Sequence, residues 1–192
     1  MFYLALLIPW IAALVYRAGG GAIHLFVGKG DRRPNVTHVY SFACMSPGMW
    51  VLTTLAHPLR WEFLIVIGLV IGSLLAAVAV KDRRTWHWVE LLLLLALNSF
   101  YGFGVAAAFN HDLDSGSPQI YRPQVLAKRS ATSRRHNNYY LKLAPWGPRA
   151  SSAEVQVGSR DYESVPLGSP ACVELRSGAL GVPWFLVSRC NR

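Results

Sequence analysis

The stretch from Trp61 to Phe109 reads WEFLIVIGLVIGSLLAAVAV (61–80), KDRRT (81–85) and WHWVELLLLLALNSFYGFGVAAAF (86–109). Two long apolar runs are parted only by Lys81, Asp82, Arg83, Arg84 and Thr85. At 1.5 Å rise per residue, about 20 helical residues cover roughly the 30 Å of a bilayer's hydrocarbon core, and each run is at least that long. The pattern predicts a helical hairpin that crosses a membrane twice, with its charged link in water.

Composition agrees with that frame. Of 192 residues, 53% are hydrophobic and 15% charged, against about 25% charged in an average soluble domain. The formal charge of +9 comes from 19 basic and 10 acidic residues, and both halves of the chain are basic. Beside membrane spans the nearest polyanion is the lipid headgroup layer, so the bilayer rather than nucleic acid is the expected partner.

Upstream of the hairpin, Met1 to Tyr16 is apolar, has no basic residue before it and no small-residue cleavage pattern after it. It reads as a retained first span. Arg17 then belongs at the interface, because a guanidinium at the bilayer centre costs roughly 2.5 to 3.5 kcal/mol. The segment through Gly19-Gly20-Gly21 to Gly28 lies near the surface, and Lys29, Arg32 and Arg33 follow in water. Val36 to Ala56 is long enough to cross but holds Ser46-Pro47-Gly48 at its middle, which predicts a kinked span or a re-entrant loop. Four spans with the N-terminus outside place Arg17, Lys29, Arg32, Arg33, Lys81, Arg83 and Arg84 in the cytoplasm, as the positive-inside tendency favours. The C-terminal part is then extracytoplasmic.

After Phe109 the composition changes. Residues 110–118 form a polar, turn-rich linker containing His111, Asp112 and Asp114. Residues 119–192 break into short strand-like runs at 120–127, 138–143, 153–157, 171–175 and 182–187, with 128–137 as a hairpin tip. Their spacing predicts a small all-β domain of about five antiparallel strands. The expected fold is therefore a helical membrane domain of about four transmembrane helices (1–109), a linker, and this β-domain.

Tyr139-Tyr140-Leu141-Lys142-Leu143, Pro145-Trp146-Gly147-Pro148, Val157 with Tyr162 and Val165, Cys172-Val173, and Gly178 through Leu180-Gly181 to Pro183-Trp184 together resemble the C-terminal part of a group of small bacterial inner-membrane proteins of uncharacterised activity. The likeness covers roughly the last 70 residues. It implies a bacterial inner-membrane location and an extracytoplasmic β-domain, and it implies no mechanism.

Gly68, Gly72 and Ala76 share one face of the first apolar run, and Asn98, Gly102 and Ala106 share one face of the second. Small residues let helix backbones approach, and a membrane Asn bonds across helices, so these are candidate packing faces within the chain or between copies. Cys172 and Cys190 are a candidate disulfide. If the last two strands pair with Arg176 opposite Trp184, then Cys172 faces Ser188 and Cys190 is one diagonal step away. Lys128, Arg129, Arg134 and Arg135 are candidate headgroup contacts.

Two further sets carry a weaker signal. His87 and Glu90 share a face at the start of the second apolar run. His38, Cys44, Met45 and Met49 would suit a soft metal, although Pro47 disturbs their register. No nucleophile elbow or catalytic triad is present, and the expectation is a non-catalytic protein without a cofactor. It would present the β-domain to another envelope protein or to a second copy of itself. A transporter or channel-like subunit using the Pro47-Gly48 break, with Ser46, Thr53 and Thr54, is the alternative, and a metal or redox enzyme the weaker one.

Overall fold

In the computed structural model, residues 6–19, 37–53, 57–80, 87–132 and 137–190 are described. The chain divides into two compact units: a helical one, Met1–Thr53 with Arg60–Asp112, and a β unit, Thr54–Leu59 with Leu113–Arg192.

The helical unit contains α1 (Ile8–Ala18), α2 (Thr37–Thr53), α3 (Trp61–Ala79) and α4 (Trp88–Asp112). Among the described residues, only α3 and α4, of 19 and 25 residues, are long and apolar enough to cross a membrane. Of the four expected spans, α3 and α4 meet that measure. Helix α1 has 11 residues, about 16 Å of rise. It stops at Gly19, the first of the three glycines. Helix α2 has 17 residues, about 25 Å, and it is helical straight through Pro47. The ring deprives the Ala43 carbonyl of its usual donor, and the Ser46 hydroxyl takes that place at 3.2 Å. The expected break is thereby filled within the helix itself.

Helix α4 begins with a half capping box. The Glu90 carboxylate accepts the backbone N–H of His87 at 3.1 Å, satisfying one of the donors a helix start leaves open. Its far end runs past Phe109 to Asp112, with Asn110 buried, so the linker is shorter than expected.

Among the described residues the β unit has seven strands rather than five. They are β1 (His57–Pro58), β2 (Gln119–Tyr121), β3 (Val125–Thr132), β4 (Asn137–Leu143), β5 (Ala153–Val157), β6 (Ala171–Arg176) and β7 (Trp184–Arg189), with the short helix α5 (Ser159–Ser164) after β5. They form two antiparallel sheets, ordered β1-β7-β6-β2 and β3-β4-β5. The run expected at 120–127 is split at Pro123, which has no N–H to give a ladder, and its halves serve different sheets. The expected hairpin tip from Lys128 is instead strand as far as Thr132. The remaining extra strand, β1, comes from the α2–α3 connection and pairs His57 with Phe185 and Pro58 with Trp184.

Alternation at period two buries Leu141, Leu143, Val155, Val157, Val173, Phe185 and Val187 in one core with Trp146, as expected of strands with one face inward. The β6–β7 register sets Arg176 opposite Trp184 and Cys172 opposite Ser188, the alignment that the sequence suggests.

Candidate functional site

In the helical unit the small-residue faces meet backbone. A Cβ added at Gly72 would lie 2.5 Å from the Ser99 nitrogen, one at Gly68 2.7 Å from that of Phe103, and one at Gly102 2.5 Å from the Gly68 carbonyl oxygen. Helix α4 also packs on α2, where Gly104 sits against Pro47 and Gly48. Ala106 is buried and Ala76 packs against the core. Asn98 points to α2: its Oδ1 accepts the Tyr40 hydroxyl at 2.6 Å and lies 3.5 Å from the Cys44 thiol. Its Nδ2 is buried with no hydrogen-bond partner among the described residues. The Tyr101 hydroxyl donates to the Leu6 carbonyl, tying α4 to the start of α1.

The soft-metal set is not brought together. His38 and Met45 border one shallow groove, Cys44 is buried against Asn98, and Met49 is exposed. Among the described residues no three His, Cys, Asp or Glu side chains are grouped to hold a metal.

In the β unit, Cys172 and Cys190 are joined, with Cα atoms 4.9 Å apart and a sequence separation of 18. Closing a loop of that size contributes about 3 kcal/mol on the chain-entropy account. Of the four candidate headgroup contacts, Arg134 and Arg135 lie outside the described residues. Lys128 is engaged inside the unit: its ammonium donates to the Tyr162 carbonyl and, at 2.9 Å, to that of Val165, and it stands 4.3 Å from the Tyr162 ring centre. Arg129 pairs with Glu154 at 3.0 Å and covers the Tyr140 ring. The charge of both is directed to neighbours on the β unit.

Two constellations carried no signal in the sequence. Asp114, just past α4, accepts the N–H of Gly116 and of Gly178 at 2.9 Å and the Trp184 indole N–H at 3.0 Å. Partial burial pushes its carboxyl up, but these three donors and the Arg176 guanidinium outweigh it and hold the group below the usual carboxylate range. The network pins the linker to the β6–β7 hairpin. The second is a cleft of about 730 Å³ lined by Arg122, Ser164, Val165, Pro166, Ser169 and Arg189, among others. None of its lining residues is acidic.

His57 joins the two sheets. It pairs with β7, while its Nε2–H donates to the Gln156 carbonyl of β5 at 2.9 Å and its ring lies 5.3 Å from that of Phe185. Burial lowers its pKa below 6.5; the Gln156 acceptor opposes this and the Arg149 guanidinium adds to it. A His whose folded pKa is lowered gives stability that is whole above the unfolded value and is lost as pH falls through the folded one. Thermal unfolding of the full chain in detergent, followed by near-ultraviolet circular dichroism, will therefore show the β unit losing stability as pH drops below about 6.5. The variant His57→Gln, which keeps a donor and cannot titrate, will lack that step.

Comparison with protein-family models, with curated proteins and with solved structures returned no match for this chain.

Proposed function

We propose that this chain is a bacterial inner-membrane protein whose helices anchor and present the β unit on the extracytoplasmic side, as a non-catalytic module for an envelope partner. The observation that carries this reading is the burial of its two long helices. Only 28% of the apolar window of α3 and 44% of that of α4 are buried, so large side chains such as Phe63, Ile65, Val66, Leu69, Leu92 and Leu93 stand exposed. A core helix of a soluble protein hides such residues; a helix in lipid does not need to.

The side assignment needs only the α3–α4 hairpin. Its link carries Lys81, Arg83 and Arg84, outside the described residues, and the positive-inside tendency puts that link in the cytoplasm. Arg17 belongs with this end, since its guanidinium reaches the Val78 carbonyl near the end of α3 at 3.4 Å. The opposite ends of the two helices lead to His57–Pro58 and to Leu113, both of which belong to the β unit. Residues 1–16 and 36–56 would complete a four-span anchor with the N-terminus outside. The resemblance of the last 70 residues to bacterial inner-membrane proteins points the same way.

Transport is the second reading, and the packing of the Pro47-Gly48 segment argues against it. A Cβ at Gly48 would fall 2.5 Å from Cζ of Phe100, so an aromatic ring fills the space beside that glycine. The Thr53 hydroxyl donates to carbonyls of its own helix, those of Met49 and Trp50. Thiol labelling of Cys172 and Cys190 in intact cells tests the presenting reading.

A further inference from the structure

Beyond the anchoring role, we propose that the cleft between Arg122 and Arg189 binds a phosphate group, either of a soluble phosphate ester or of a lipid headgroup. The cleft belongs wholly to the β unit, so it stands or falls independently of the side on which that unit lies.

The topology assembles it from distant parts of the chain. Arg189 ends β7 and faces Ala171, the first residue of β6. On the other side of Ala171 runs the crossing between β2 and β3, where the Ala171 N–H donates to the Pro123 carbonyl at 2.9 Å and Gln124 bridges to Pro170. Arg122 and Arg189 thus flank one strand from its two sides. Two strand spacings put their backbones roughly 10 Å apart, and both side chains line the same cleft. Among the described residues neither has an ion pair, in contrast with Arg129 and its Glu154. Guanidinium groups present planar forks that fit phosphate oxygens two at a time.

The rest of the lining explains why the two arginines decide the ligand. Ser164 and Ser169 donate their hydroxyls to the Asp161 and Pro166 carbonyls, which leaves their oxygens facing as acceptors and adds no negative charge. Pro166 and Pro170 have no N–H to offer. The net charge of the cleft is therefore that of the two arginines, and a doubly charged anion matches it. Cys190 lines the same cleft, and its bond to Cys172 fixes the end of β7 from which Arg189 projects.

The test uses the full chain in nanodiscs of zwitterionic lipid, titrated with inorganic phosphate and with glycerol phosphate by calorimetry. In a second arm, nanodiscs containing phosphatidylglycerol present the same group as a headgroup, and competition by glycerol phosphate is measured. A charge-assisted hydrogen bond contributes about 1.5 to 3 kcal/mol, so Arg122→Gln and Arg189→Gln should each weaken binding by roughly tenfold to a hundredfold. The double variant should bind nothing, and Arg160→Gln, an exposed arginine outside the cleft lining, should bind as the unaltered chain does. Saturable binding that the two cleft variants lose supports the site, and the arm in which it occurs identifies the source. Absence of saturable binding in both arms, or binding that survives the double variant while the fold is kept, overturns it.

Discussion

Replacing Gly68 and Gly72 together by leucine will separate α3 from α4 and strip the helical unit of most of its stability. Without a hydrophobic drive between helices in lipid, association rests on close van der Waals contact, which small residues permit. Here the contact is backbone on backbone: the added Cβ atoms would come within 2.7 Å and 2.5 Å of the Phe103 and Ser99 nitrogens. A flexible side chain could step aside, but a helix backbone cannot without moving the whole helix. Overpacking a single site costs about 1 to 3 kcal/mol, and two sites on one rigid interface compound. Thermal unfolding in mild detergent, read by far-ultraviolet circular dichroism, should show the helical transition shifted sharply downward. Leu69→Ala, on the exposed face of the same helix, should leave it in place. Equal stability of the two variants would mean that the helices do not meet along this face.

Phe185→Ala is expected to have the largest effect of any single change in the β unit. The ring is fully buried, with Trp146 at 5.1 Å, His57 at 5.3 Å and the Arg149 guanidinium over it at 4.9 Å. Its strand pairs with β1 on one side and β6 on the other. Truncating a buried Phe costs about 3 to 5 kcal/mol, and at roughly 4 to 8 °C per kcal/mol for a domain of this size the midpoint should fall by 12 °C or more. Leu167→Ala, on the surface, should change it by no more than about 0.5 kcal/mol. A small effect at Phe185 would show that the two sheets do not share the core described above.

Much of this architecture is written in local pattern. The two apolar runs at 61–80 and 86–109 declare α3 and α4 because length and hydropathy suffice for a helix that buries little. The β6–β7 pairing was readable because a period of two leaves few registers once the turn is placed, and the Cys172–Cys190 contact follows from that register. Other features depend on what lies far away in sequence. His57-Pro58 has no strand signal; it becomes β1 because the edge of β7 offers unpaired backbone groups. Pro123 was a visible reason to split the first strand, and the apolar residues around it masked it. Lys128 looks like a solvated base until Tyr162 and Val165, more than thirty positions on, supply their carbonyls. Arg122 and Arg189 line one cleft only because β6 is laid between their strands, and no spacing in the chain announces that.

The most direct test of the membrane reading is labelling of intact cells with an impermeant maleimide before and after an impermeant phosphine reductant. Cys44 is buried in the helical unit and serves as the silent control, leaving Cys172 and Cys190 to report the side of the β unit. No labelling is expected before reduction, and two labels per chain after it. Labelling of these cysteines only once the cells are lysed would put the β unit in the cytoplasm and overturn its extracytoplasmic placement.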